Sequence, residues 1–125
     1  MSFFRKPSRS TAALPRSSSK PGMLRGRHYS EWHVEVKRLR AMGDEEEAVA
    51  LLLDMVAATE AESRAEGFGV APAAYGELAV IYRRRKDAAA ETLILERFAK
   101  QKHAPGAMPP KLLERLASLK GSAKG

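Results

Sequence analysis

Apolar residues return every three to four positions along most of this chain, and glycine, proline and aspartate cut that pattern into five segments. Trp32, Val36 and Leu39 fall at i, i+4 and i+7, one apolar stripe of a helix. Ser30 stands where it can cap that helix, with Glu31 in a first turn that the helix dipole makes favourable for negative charge. Gly43 ends it, because the residue past a helix C-terminus commonly takes the left-handed conformation, which glycine adopts without strain. Asp44 then opens a second helix, and Glu47 three residues on completes an Asp variant of the capping box. Ala48, Leu51, Leu52, Met55 and Val56 make its buried face. Without a breaker before Gly67, this second helix is expected to run for about 22 residues.

The stretch "GFGVAP" is a loop that leads into Pro72 at a first helical position. Tyr75, Leu78, Ala79 and Tyr82 then repeat the i, i+3, i+4, i+7 spacing of a third helix. Asp87 caps a fourth, whose face is Ala90, Ile94, Leu95 and Phe98. After the breaker "KHAPGAMPP", Pro110 opens a short fifth helix over 110–120 carrying Leu112, Leu113, Leu116 and Leu119. Since every longer segment has the helical rather than the two-residue period, no strand is expected and the fold class is all-α.

Residues 40–56, "RAMGDEEEAVALLLDMV", are echoed 43 positions later by 83–99, "RRRKDAAAETLILERFA". Helices joined by connections as short as Gly43-Asp44 and Lys86-Asp87 must lie antiparallel. The expected architecture is therefore two helical hairpins, with the fifth helix as a cap over the second.

The second hairpin resembles the tetratricopeptide repeat family. Tyr75, Leu78, Ala79 and Tyr82 match the large, large, small, large positions of that family's first helix, Asp87 its turn residue and Pro105 its closing proline. In the first hairpin Gly43, Asp44 and Ala48 match, and Leu39 is the clear match in the helix before them. The departures are Glu91 at the small packing position of the second helix, Lys86 in place of the turn glycine, and a spacing of 43 where the family has about 34. The resemblance covers residues 30–103 and implies a protein-binding scaffold with a concave face. A looser similarity, on "GVAP", "LAVIYR", "ILERF" and "HAPG" followed by a Pro-Lys-Leu helix, is to small functionally unassigned proteins of GC-rich bacteria and their phages, and it implies no activity.

Charge changes the picture at one end only. The net charge of +7 resides wholly in residues 1–28, where Arg5, Lys6, Arg9, Arg16, Lys20, Arg25 and Arg27 have no acidic counterpart. The remaining 15 basic and 15 acidic residues cancel. This Ser, Pro, Arg and Gly-rich stretch buries too little apolar surface to offset the entropy of ordering, so 1–28 is expected to be a disordered basic arm, 29–120 the helical domain and 121–125 a flexible end. The arm has the acid-free composition of a transit peptide, but Pro7, Pro15 and Pro21 oppose the amphipathic helix such peptides form. No apolar run approaches the roughly 18 residues of a membrane span. With no cysteine, disulfides, thiolate zinc sites and thiol nucleophiles are excluded, and a reducing, cytoplasmic setting is expected.

Catalytic chemistry is not indicated. There is no phosphate-binding glycine loop, zinc helix motif, nucleophile elbow or kinase signature. His28 and His33, with Glu31 or Glu35, are spaced wrongly for helical metal ligands, and the acidic run 45–47 is explained by the helix dipole. No enzyme, metal or cofactor is therefore expected. The expected function is a protein-interaction adaptor, monomer or homodimer, with Tyr75, Tyr82, Arg83, Arg84, Arg85 and Glu91 as partner-binding residues in a groove. Alternatively, the seven arm cations and the Arg83–Lys86 edge contact nucleic-acid phosphates. In a third reading the chain is a structural subunit of a larger assembly.

Overall fold

A computed structural model describes residues 20–124 of the chain. Five helices follow in order: α1 (His33–Ala41), α2 (Glu45–Glu66), α3 (Ala73–Arg84), α4 (Ala88–Ala99) and α5 (Met108–Lys124). Each packs on the next, so the fold is all-α, as the periodicity predicts. Its core joins Val36 of α1, Leu52 and Met55 of α2, Tyr75, Leu78 and Ile81 of α3, and Leu95 and Phe98 of α4.

The 43-residue repeat is reproduced in backbone geometry. In the first hairpin the amides of Gly43 and Asp44 donate to the carbonyls of Arg40 and Leu39, and the Ala48 amide donates to Asp44. In the second, Lys86 and Asp87 donate to Arg83 and Tyr82, and Glu91 donates to Asp87, each pair shifted by 43. Gly43 (φ 81°) and Lys86 (φ 58°) both occupy the left-handed region that this helix-ending motif requires. Lysine takes that conformation at a cost of about 1 kcal/mol that glycine avoids. Lys86→Gly is therefore expected to raise stability by about 1 kcal/mol, measured by urea unfolding; a loss would show that the lysine side chain contributes more than its strain.

Several local expectations are corrected. The arm was expected to be disordered through residue 28, but residues 23–28 form a two-stranded antiparallel ribbon, β1 (Met23–Leu24) and β2 (Arg27–His28). Arg25 (φ 51°) and Gly26 (φ 85°) make its two-residue turn, the hairpin geometry that needs two positive φ angles. Contacts with the domain hold the ribbon: the indole of Trp32 donates to the Leu24 carbonyl at 2.9 Å, and Arg25 donates to Asp54 of α2 at 3.0 Å. Residues 1–19, with Arg5, Lys6, Arg9 and Arg16, lie outside the described residues.

Ser30 does not cap α1. It lies in a 3₁₀ turn, Tyr29–Trp32, whose cap is the His28 ring, and α1 begins at His33. Asp44 precedes α2 as expected, yet its carboxylate accepts no bond from the first turn; Asp87 does cap α4, accepting from the Ala90 amide at 3.0 Å. The fifth helix runs beyond 110–120 at both ends, through Gly121.

Candidate functional site

The odd-numbered helices share one face. Between them lies a groove of about 480 Å³, lined by Arg40 of α1, Ala73, Gly76, Glu77, Val80 and Arg83 of α3, and Met108, Lys111 and Leu112 of α5. Its floor is apolar, with Val80 38 % and Met108 43 % exposed. Leu112 and Met108 of α5 lie over Gly76 of α3, where a methyl group would be in ordinary contact, 3.5 Å from Leu112 and 3.8 Å from the Met108 sulfur. The fifth helix thus walls the groove and leaves it open. A second cleft of about 300 Å³ adjoins it, lined by Lys37, Arg40, Ala41, Glu45, Glu77 and Arg84. Together the two present five cations and two carboxylates. Glu77 is engaged by Arg40 at 3.3 Å and lies 3.8 Å from His33 Nδ1. Among the described residues Lys37, Arg84 and Lys111 make no ion pair.

The six residues expected to contact a partner do not share this surface. Tyr75 is 0 % exposed and belongs to the core, so it cannot meet a partner across an open groove. Its hydroxyl donates to Glu60 Oε2 at 2.7 Å, and burial, then this bond, pushes its pKa well above the usual tyrosine range. Glu60 also accepts from Arg97 Nε and Nη2, each at 2.8 Å. Burial alone would raise the pKa of Glu60, but the bonds from Arg97 and Tyr75 outweigh it and hold the carboxyl below its ordinary value.

Glu91 is 1 % exposed and likewise no contact residue. Arg83 donates to it at 3.1 Å from α3, and Arg115 at 2.8 Å and 3.2 Å from α5. Burial opposes ionisation here too, and the two arginines overcome it, so its pKa is lowered. Glu91, which stands 43 positions after Ala48 at the equivalent place in the second hairpin, is thus the anchor of the fifth helix. Tyr82 faces away from the groove, over a hollow it shares with Leu53, Leu93 and Ile94. Arg85 bridges the hairpins by donating to Glu45 and Glu46 of α2. Only Arg83 and Arg84 line the grooved face.

The groove residues that sequence reasoning missed had a signal. Ala73, Gly76, Glu77, Val80 and Arg84 repeat at i, i+3, i+4, i+7 and i+11, a second stripe on α3 beside the Tyr75 stripe. It is small and mixed rather than strongly apolar, so it reads as solvent-facing.

At the far side of α2, the Ser30 hydroxyl lies 2.8 Å from His28 Nδ1, and His28 Nε2 lies 2.8 Å from Glu62. Hydroxyl, imidazole and carboxylate align as in a nucleophile site. The Ser30 amide, however, also donates to Nδ1 at 3.3 Å, so the lone pair a general base would use is engaged in capping. This trio clips the ribbon to α2.

Compared with protein-family models, curated proteins and solved structures, the chain matches none of them. Among the described residues no helix is long and apolar enough to cross a membrane.

Proposed function

We propose that this protein is a non-enzymatic interaction module that takes an acidic, amphipathic segment of a protein partner in the α1, α3, α5 groove. The tetratricopeptide-like reading of the sequence supports it, and the observation that carries it is the combination of an open apolar floor with a cationic rim. An extended or helical segment would bury apolar side chains on Val80, Met108 and Leu112 and set carboxylates against Lys37, Arg84 and Lys111. Such a surface selects by shape and charge and needs no catalytic group. A cytoplasmic partner fits the cysteine-free chain.

The nucleic-acid alternative has fewer free cations than the sequence suggests, since Arg25, Arg83 and Arg85 already hold carboxylates. Affinity capture after nuclease treatment, with the recovered partner then purified and titrated, tests the proposal. Val80→Glu and Lys111→Glu are each expected to weaken that binding at least tenfold with an unchanged melting temperature. Binding that ignores both substitutions, needs residues 1–28 and falls steeply with salt would replace the groove by phosphate contacts.

A further inference from the structure

The connections at one end of the bundle present an aromatic ring to solvent from an unusually fixed loop. Phe68, in the α2–α3 connection, is 64 % exposed, while Val70 two residues later is fully buried. The loop is clamped to the α4–α5 connection: Val70 donates to the Lys102 carbonyl at 2.7 Å, Ala104 donates to the Val70 carbonyl at 3.1 Å, and Lys102 Nζ donates to the Gly67 carbonyl at 2.6 Å. Gly69 sits so close to this partner that a methyl group on it would fall 2.4 Å from the His103 backbone. The His103 ring in turn stacks on buried Phe98 at 4.1 Å. An exposed ring on a restrained loop loses little further conformational entropy when it is buried by a partner.

The charge around Phe68 identifies that partner. Arg64 in the last turn of α2, Lys100 and Lys102 are exposed at this end, against the single exposed carboxylate of Glu66 in the same last turn. The basic segment joins the domain here as well. Gly22 lies against Glu62, one turn from the end of α2, where a methyl group would be 2.7 Å from the carboxylate. Four more cations, Arg5, Lys6, Arg9 and Arg16, precede it with no acid, beside Phe3 and Phe4. Apolar insertion by one ring is weak alone, and polybasic attraction is weak alone; combined they attach a protein reversibly to an anionic bilayer. Base stacking on nucleic acid would need successive aromatic platforms, and the exposed loop offers one ring.

We infer that the Phe68 end of the bundle docks on an anionic lipid surface, with the ring in the interface and Arg64, Lys100 and Lys102 on the headgroups. This inference is independent of the groove reading, since none of Arg64, Phe68, Lys100 and Lys102 lines the groove. The test is flotation of the full chain with phosphatidylcholine vesicles containing or lacking about a third phosphatidylglycerol, the anionic share being set high to favour polybasic attraction. The expected result is binding to the anionic vesicles only, reduced at least fivefold by Phe68→Ala and by Lys100→Glu at unchanged melting temperature. Phe68→Trp should retain binding and show a blue-shifted emission quenched by brominated lipid, beyond the signal of wild-type Trp32. If Phe68→Ala binds like the wild type, or the introduced tryptophan stays in water, the attachment is arm charge alone and the inference fails. Equal binding to neutral vesicles, or a preference for a DNA oligonucleotide that Phe68→Ala leaves intact, would also overturn it.

Discussion

Replacing Arg83 and Arg115 together by alanine is expected to destabilise the protein by about 3 kcal/mol at neutral pH, because it leaves a buried carboxylate without a counter-charge. Glu91→Ala should cost less, since both arginines are partly exposed and can return to water, and since the first hairpin already carries alanine at the equivalent position 48. Adding Glu91→Ala to the double arginine variant should therefore recover more than half of the loss. Urea unfolding of the four proteins measures this. Equal stability of the double arginine variant and the wild type would mean that Glu91 is not held by these ion pairs. The pH dependence has a fixed sign. The carboxyls of Glu60 and Glu91 have pKa values below the ordinary 4.5, so they stabilise the fold fully above that value and their contribution is lost as the pH falls through their lowered values. In Glu91→Ala one part of that acid sensitivity should disappear, leaving the part due to Glu60.

Removing α5, residues 108–125, should have the larger effect, about 4 kcal/mol. Leu116 is buried against the second hairpin, Leu112 and Leu119 are partly buried, and each full Leu burial is worth about 1.5–3 kcal/mol. The cut also takes Arg115 from Glu91 and Lys120 from Glu96, 3.2 Å away. The shortened chain, with the α3 and α4 face open, is expected to dimerise at concentrations where the full chain is monomeric. Analytical ultracentrifugation with thermal unfolding reads both effects. A shortened protein that stays monomeric and equally stable would show that α5 does not cap the fold, and a groove walled by α5 would lose its support.

Glu91 and Tyr75 explain why function was harder to read than fold. Glu91 falls on the core face of α4, and its position in the repeat flags it as anomalous, but nothing local shows that Arg115, 24 positions on, reaches it. Tyr75 offered the opposite difficulty. Its place on the apolar stripe of α3 is legible, while its role as a buried donor to Glu60 follows from α2 passing behind it. The ribbon at 23–28 was missed for a related reason. Two-residue strands carry no periodic signal, and it is the indole of Trp32 and the carboxylate of Asp54 that order them.

By itself the sequence determined the helices and their breaks, the repeat at 43 residues, the antiparallel hairpins and the confinement of net charge to the first 28 residues. These are local or additive properties: periodicity, capping and turn conformation depend on neighbours within a few positions, and charge only on a sum. The tertiary structure alone decided which stripe of each helix was left open. Amphipathicity says that one face is buried but not what the other faces share. Only the packing of each helix on the next, which brings α1, α3 and α5 to one face, makes one groove of Arg40, Gly76, Val80 and Met108, and it turns Glu91 from a candidate contact into the internal anchor of the cap.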